Sequence, residues 1–276
     1  MTTSLERAPA VAGAFYPADP AALRAELERC FAEASPPGPV PGAIGCMAPH
    51  AGYMFSGVCA AHAFGRLEVP RRVIVLGPNH TGLGPPLSVW PGGRWRTPLG
   101  PVEIDTPMVE ALSGALPLLE PEPLAHVREH AIEVEVPFLQ YRREDFVLTP
   151  IVVGTQNPHV LRSLGEALAV AVRAAEQPVL LVASSDMNHY EDEATTQRKD
   201  ALALERLEAF DPAGLLEVCA RERISMCGLG PTVAVMHACR ALGAVRAEVV
   251  DHRTSAAVSG DTGHVVGYAA ALFATR

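Results

Sequence analysis

Three unbroken apolar runs stand out in the hydrophobic pattern of the chain, at residues 43–48, 73–76 and 179–183. Continuous β-branched and aliphatic runs of this length are typical of strands that are buried on both faces, as in parallel sheets. Proline, glycine or serine follows each run and starts a polar loop. Because open α/β sheets bind ligands beyond the carboxyl ends of their strands, the pattern predicts a site where these three loops meet.

Apolar residues at helical spacing predict helices between and after these strands. The first begins at Pro20, the second follows a cap at Ser56, and the third begins at Thr106. Further helices are predicted at residues 125–141, 158–175, 195–210, 212–223 and 231–242. Pro137 is expected to kink or end the helix in which it falls.

The remaining apolar segments predict shorter strands. Residues 87–104 combine two tryptophans with a Pro-Gly-Gly turn and suit a hairpin. Residues 146–153 predict a buried strand whose internal Pro150 indicates a sheet edge or a bulge, since proline cannot donate to the ladder. Residues 247–251 and 265–274 close the sheet. Strands and helices alternate without an internal repeat, so we predict a three-layer α/β/α fold around a central mixed, largely parallel sheet.

Composition limits the classes of function. The 276 residues are 49% hydrophobic and contain no credible linker, so we expect a single domain over residues 1–276. The net charge is −9 and Lys199 is the only lysine, so no basic stripe can neutralise phosphates and nucleic acid is not an expected partner. The six cysteines form no C-x-x-C pair and the start lacks an apolar signal core, which indicates a reduced, cytoplasmic protein. No apolar run approaches the roughly 20 residues of a membrane span.

Histidines follow all three predicted strands. His50, His80 and His189 lie in the three loops, and Cys227 lies just ahead of the last predicted helix, where the partial positive charge of the helix start favours thiolate. Two imidazoles and a thiolate are suitable ligands for a single metal ion. The alternative for each histidine is a loop imidazole bonded to backbone, and for Cys227 it is an inert small thiol.

The usual enzyme motifs are absent from the sequence. It contains no G-x-S-x-G, no P-loop, and no G-x-G-x-x-G after a strand, which disfavours serine hydrolases, NTPases and dinucleotide enzymes. Residues 126–130 (HVREH) fit the H-x-x-E-H pattern of inverted zinc peptidases, which leaves a peptidase as an alternative. We predict that His126→Ala leaves metal binding unchanged.

Five motifs together resemble the MEMO family, whose bacterial and archaeal members are named AmmeMemoRadiSam system protein B. They are 49–53 (PHAGY), 76–80 (LGPNH), 129–133 (EHAIE), 184–189 (SSDMNH) and 226–228 (MCG), in family order. The resemblance covers nearly the whole chain. It implies a fold similar to that of class III extradiol dioxygenases, which are non-haem Fe(II) enzymes.

The resemblance also implies a metal site at His50, His80 and Cys227, with Asp186 and His189 bordering the same pocket. Iron is the favoured metal, and copper and zinc are alternatives. The dioxygenases use two histidines and a carboxylate, so a cysteine at the third place argues against simple transfer of the ring-opening reaction.

Further roles follow as hypotheses. His189 is the candidate general acid/base, and Asp186 either orients a ligand imidazole or is a weak additional ligand. Tyr53 either donates a hydrogen bond to a substrate or only packs. Glu129 and His130 line the cleft as substrate-binding candidates, although Glu129 could instead cap its helix.

Two functions of different classes remain open. The first is a metal-dependent redox enzyme, an oxidoreductase acting on an unidentified small-molecule substrate. The second is a non-catalytic metal-binding or peptide-binding scaffold. Family naming implies a link to AMMECR-domain and radical-SAM proteins as partners in either case.

Overall fold

A nine-stranded mixed sheet forms the centre of the protein in the computed structural model, which describes residues 5–276. The strands of the described chain are β1 Glu6–Arg7, β2 Ala43–Ala48, β3 Arg72–Pro78, β4 Leu87–Val89, β5 Arg94–Thr97, β6 Gly100–Glu103, β7 Glu120–Pro121, β8 Val147–Val153, β9 Val179–Ser184, β10 His189–Glu191, β11 Arg246–Thr254 and β12 Val265–Ala274. Strands β1, β5 and β6 form a separate small sheet.

Helices follow most of the strands. They are α1 Pro20–Ala34, α2 Tyr53–Gly65, α3 Thr106–Ala115, α4 Ala131–Arg142, α5 Pro158–Ala174, α6 Glu193–Glu208, α7 Pro212–Glu222, α8 Leu229–Ala241 and α9 Ala256–Ser259. Several begin at a side chain that accepts a backbone N–H of the first turn. Asp19, Asp105, Asn157 and Asp211 do so for α1, α3, α5 and α7, and proline occupies the first turn of each of these helices.

The order of the strands brings the three predicted strand ends together. Strands β2, β9, β3 and β8 lie side by side and parallel, while β12 and β4 run antiparallel on either flank. The register pairs Ala48 with Ser184 and Leu76 with Ala183. The loops that follow β2, β9 and β3 therefore leave one edge of the sheet as neighbours.

Helices cover both faces of the sheet, which confirms the predicted α/β architecture with a mixed sheet. Helices α2 and α4 pack on the strands with α1 outside them, and α8 packs on β2, β3 and β9 with α5 against it. The buried apolar side chains of strands and helices form one continuous core. A continuous core on both faces explains why the central strands show no polar alternation.

Two predicted helix starts differ from the structure by more than two residues. Ser56 does not cap α2, because its hydroxyl donates to the Ala51 carbonyl from inside the helix, which begins at Tyr53. Helix α4 begins at Ala131 instead of residue 125, because the residues before it form turns. Pro137 lies inside α4 without ending it.

Pro150 is predicted to lie at a sheet edge or a bulge, and β8 lies between β3 and β4. The proline is tolerated there because β4 is short. Its ladder covers only residues 151–153 of β8, whereas Pro150 is paired through Val75 of β3. The position is therefore locally an edge within the sheet.

Among residues 5–276, no helix combines the length and apolar character needed to cross a bilayer.

Candidate metal centre

His50, just after β2, is held by residues at and just beyond the carboxyl end of β9. Its backbone N–H donates to Asp186 Oδ1 at 2.8 Å, and its ring Nδ1 lies 2.8 Å from Ser184 Oγ. The residue is buried, with 1% of its surface exposed. Burial, with His130 and His80 nearby, lowers the pKa of His50 well below its usual range, so the ring is neutral near pH 7.

His80, after β3, is held by Glu129, which lies just ahead of α4. The carboxylate accepts the backbone N–H of His80 at 2.5 Å and lies 2.9 Å from its ring Nδ1. It also accepts the N–H groups of His130 and Ala131, at 2.9 and 3.0 Å. Glu129 therefore caps α4, which is one of its two predicted roles, and also orients His80; its predicted contact with a substrate stays a prediction.

The pKa values of this pair reflect their contact. Burial alone would lower the pKa of His80, but the hydrogen bond to Glu129 and its charge outweigh burial and raise it. Burial alone would raise the pKa of Glu129, but His80 and the N–H groups at the start of α4 lower it below its usual range. Each partner thus stabilises the charged form of the other.

The rings of His50, His80 and His130 converge on one point. Their centroids are 5.3 Å apart for His50 and His80, 4.6 Å for His80 and His130, and 5.4 Å for His50 and His130. One nitrogen from each ring lies within 4.8 Å of the other two. Nitrogen ligands about 2.0–2.1 Å from a metal lie about 3–4 Å from one another, so this group is suited to hold a metal ion.

Cys227 lies beside the same imidazoles. Its Sγ is 3.3 Å from His50 Nε2 and accepts the backbone N–H of Asp186 at 3.3 Å. It directly precedes the start of α8, as predicted, but its surroundings do not favour the predicted thiolate. Burial and the nearby Asp186 carboxyl raise the pKa of the Cys227 thiol, and the hydrogen bonds it accepts only partly offset them.

Asp186 and His189 follow β9 and lie near this group. Burial raises the pKa of Asp186 to about 7, although the backbone N–H groups of His50 and Ala51 oppose the shift. His189 Nδ1 lies 3.0 Å from the Ser225 carbonyl. A carbonyl only accepts, so Nδ1 carries the proton and Nε2 is a free base. Burial lowers the pKa of His189, which keeps the ring neutral near pH 7.

Two other candidates are used differently. Tyr53 is buried, its ring packs on Phe138, and its hydroxyl donates to the Val134 carbonyl at 2.8 Å, which leaves no phenolic hydrogen for a ligand. His126 is buried between Trp90 and Trp95, in turns outside any helix. The helical spacing on which an H-x-x-E-H zinc site depends is therefore missing, and His126 is not part of the imidazole group.

A cavity of about 410 Å³ opens beside His80 and Cys227. Its wall includes Asn79, Thr155 and Gln156 and the backbone around Gly230. Within the described chain, none of the residues that line it is an aspartate, glutamate, lysine or arginine. The space next to the imidazoles is thus polar, and its wall contains no carboxylate, lysine or arginine side chain.

Sequence reasoning missed three members of this centre. His130 was assigned to the cleft wall, yet its ring is one of the three converging imidazoles. Ser184 and Glu135 were not singled out, although Ser184 Oγ lies 2.8 Å from His50 Nδ1 and 2.7 Å from Glu135 Oε1. An acidic residue inside the apolar run of α4 was the available signal for Glu135, since carboxylates are rarely buried without a partner.

The family model and the relatives that match this chain carry the same family name. The family model described as Memo-like protein matches residues 7–272. MEMO1 family proteins of Methanopyrus kandleri and Ignicoccus hospitalis are each 43% identical, over 280 and 281 residues, and each match covers 98% of this chain and 99% of the relative. One from Thermotoga maritima is 42% identical over 283 residues, covering 97% and 99%. The crystal structure of an uncharacterized protein from Escherichia coli K12 covers 74% of this chain and 87% of its own, at 14% identity and a TM-score of 0.41.

Proposed function

The chain belongs to the Memo-like protein family, and from that premise we propose that it is a metal-dependent redox protein acting on a small molecule. The observation that carries the proposal is the group formed by His50, His80 and His130, whose ligand nitrogens lie within 4.8 Å of one another. Only His50 of the three is buried, so the meeting of these imidazoles at the carboxyl edge of the sheet is not core packing, which favours a binding role.

We assign His50 and His80 as two of the metal ligands. Cys227 is the proposed third ligand, since its Sγ is 3.3 Å from His50 Nε2, and His130 is the alternative. Iron is the favoured metal because family resemblance points to non-haem iron chemistry, while copper and zinc also accept imidazole and thiolate. When bound, a redox metal would supply electron transfer and Lewis acidity at this edge of the sheet.

The chain's own groups then have separate tasks. His189, with its unprotonated Nε2, accepts a proton from the substrate, and Asp186 orients the His50 loop through the backbone N–H of His50. Glu129 holds His80, and we assign Tyr53 a packing role instead of a substrate contact. The adjacent cavity wall contains no carboxylate, lysine or arginine side chain to pair with a charged substrate, which favours a neutral substrate with hydrogen-bonding groups.

Anaerobic titration with Fe(II), Cu(I) and Zn(II) tests the metal centre. Wild-type protein should bind one metal per chain, and His50→Ala and His80→Ala should each lose it. His159→Ala is the matched control, because this histidine is exposed on α5. Cys227→Ala and His130→Ala identify the third ligand by which of them weakens binding. Failure of wild-type protein to bind any of the three metals would refute the proposal.

The second candidate is a binding protein without turnover, which holds a metal or an extended peptide. An apolar groove of about 560 Å³ beside Phe15 and Phe55 favours it, because such a groove suits apolar side chains of a peptide. Oxygen uptake by the Fe(II)-loaded protein with catechols or reductants separates the two. Uptake that His189→Ala abolishes while metal is retained supports the enzyme. Tight metal binding without uptake supports the binding protein.

The cellular setting extends the proposal. The six cysteines are free thiols, which fits a reduced compartment, and we place the protein in the cytoplasm. AMMECR-domain and radical-SAM proteins are the proposed partners, from family naming. Co-purification from the native cell tests this part, and recovery of neither partner would count against it.

A further inference from the structure

The hydroxyl of Ser184 lies at the centre of three short polar contacts behind the imidazole group. Ser184 Oγ is 2.8 Å from the Ala131 carbonyl, 2.7 Å from Glu135 Oε1 and 2.8 Å from His50 Nδ1. Ser184 and Glu135 are fully buried. Each contact therefore needs a hydrogen between its two heavy atoms, because no solvent screens two facing lone pairs.

The number of available hydrogens fixes the donor and the acceptor in each contact. The Ala131 carbonyl can only accept, so it takes the single hydrogen of Ser184. Both lone pairs of Ser184 Oγ must then accept, one from Glu135 and one from His50. Glu135 donates only as the neutral carboxylic acid, and His50 donates only with its proton on Nδ1. Any other placement of these hydrogens leaves two acceptor atoms facing each other at less than 3 Å with no hydrogen between them.

The surroundings of Glu135 agree with a neutral acid. Its second oxygen, Oε2, is buried with no partner among the described residues, which is far less costly for a carbonyl oxygen than for a carboxylate. Burial, with a smaller contribution from Asp186, raises the pKa of Glu135 well above its usual range despite the Ser184 contact. On the other side of the ring, Cys227 Sγ lies 3.3 Å from His50 Nε2, where a neutral thiol donates to an unprotonated nitrogen.

We propose that Ser184 is a positioning residue which, together with a neutral Glu135, holds His50 as the tautomer protonated on Nδ1. The Nε2 lone pair is thereby directed at Cys227, on the side where the proposed metal binds. The consequence for metal binding rests on the proposed function, whereas the tautomer itself is a property of the metal-free chain. Neither residue touches substrate or metal in this arrangement.

Nitrogen-15 NMR of the His50 ring in metal-free protein tests the tautomer directly. Wild-type protein should show a protonated Nδ1 and an unprotonated Nε2. Ser184→Ala should move the proton to Nε2, since Nδ1 loses its acceptor. Glu135→Gln should keep the wild-type pattern, because its amide N–H can still donate to Ser184 Oγ. Protonated Nε2 in wild-type protein, or no change in Ser184→Ala, would overturn the proposal.

Infrared difference spectroscopy tests the acid and does not depend on whether Ser184→Ala folds. Well above pH 7, where Asp186 with its pKa of about 7 is ionised, the carbonyl band of a buried carboxylic acid should be present in wild-type protein and absent in Glu135→Gln. Glu133→Gln is the matched control, since Glu133 is equally buried on α4 but is paired with Arg7 at 2.7 Å and does not contact Ser184. A spectrum in which Glu135→Gln removes no such band would show an ionised Glu135 and refute the assignment.

Metal titration of the same variants separates this inference from the proposed function. Ser184→Ala should weaken Fe(II) binding roughly 10–100-fold, as is usual when the outer partner of a ligand imidazole is lost, and Glu135→Gln should weaken it much less. Wild-type protein that binds no metal yet shows the Nδ1 tautomer would refute the proposed function and support the positioning role. Wild-type protein that binds metal but has its His50 proton on Nε2 would support the proposed function and refute the positioning role.

Discussion

Glu129 connects the capping of α4 to the orientation of His80, so its removal should affect stability and site together. The carboxylate accepts three backbone N–H groups, at 2.5, 2.9 and 3.0 Å, and lies 2.9 Å from the His80 ring. Hydrogen bonds to a charged group contribute about 1.5–3 kcal/mol each and are not additive. We therefore expect Glu129→Ala to lower the free energy of unfolding by about 3–5 kcal/mol, which is the range for breaking a buried ion pair. Glu129→Gln keeps one acceptor and should cost about 1–2 kcal/mol.

The pH dependence of this loss follows from the two shifted pKa values. The lowered pKa of Glu129 gives stability that is present above its unfolded pKa, about 4.3, and is lost as the pH falls through the folded pKa. The raised pKa of His80 gives stability that is present below about 6.5 and is lost as the pH rises through the folded pKa. The difference between wild-type protein and Glu129→Gln should therefore be largest between about pH 5 and 6.5.

Urea unfolding of the metal-free proteins, followed by circular dichroism from pH 4 to 8, measures this difference. Glu144→Gln is the control, because Glu144 lies at the surface and its side chain is 81% exposed. Its free energy of unfolding should stay within about 0.5 kcal/mol of wild type. A Glu129→Ala protein as stable as that control, or a Glu129→Gln difference that does not vary with pH, would refute the role given to this carboxylate.

Three further predictions concern stability around the centre. Tyr190→Gly should raise the free energy of unfolding by about 0.5–1 kcal/mol in urea, because Tyr190 has a positive φ of 60° that costs a non-glycine residue about 1–2 kcal/mol; a loss of stability would contradict this strain. Gly228→Ala should destabilise by more than about 2 kcal/mol, since an added Cβ would overlap the Ser184 carbonyl and Ser185; wild-type stability would contradict the close approach. Arg7→Met should lower the free energy of unfolding by about 3–5 kcal/mol, because the buried Glu133 loses its ion pair. The loss should persist in 1 M NaCl, since a buried pair is screened little by salt. A loss that salt abolishes would show that the pair is exposed to solvent.

The parts of the fold that sequence predicted are those that local chemistry decides. The runs at 43–48, 73–76 and 179–183 form strands because every position is apolar, and the histidine loops after them meet because parallel neighbours end at one edge. Pro20 begins its helix because the preceding aspartate caps the first turn. Such features depend on a few consecutive residues, and in these segments tertiary packing agrees with the local preference.

The parts that sequence did not predict depend on distant contacts. Helix α4 starts at Ala131 because the Glu129 carboxylate accepts the N–H of Ala131. The same carboxylate contacts the ring of His80, which is 49 positions away in the sequence. That start brings His130 to the other imidazoles. The Cys227 thiol was expected as thiolate from its helix, yet burial and Asp186 dominate its pKa. Family resemblance supplied His50, His80 and Cys227 as a set, and whether Cys227 or His130 completes it stays a prediction.

The central claim is that His50 and His80 bind one metal ion. X-ray absorption at the iron edge of the Fe(II)-loaded protein, prepared anaerobically, measures its ligands most directly. We predict at least two imidazole ligands at about 2.0–2.2 Å, with sulfur at about 2.3 Å if Cys227 is the third ligand, and loss of the imidazole signal in His50→Ala. A spectrum with oxygen ligands only, unchanged in His50→Ala, would contradict the assignment of this edge of the sheet as a metal centre.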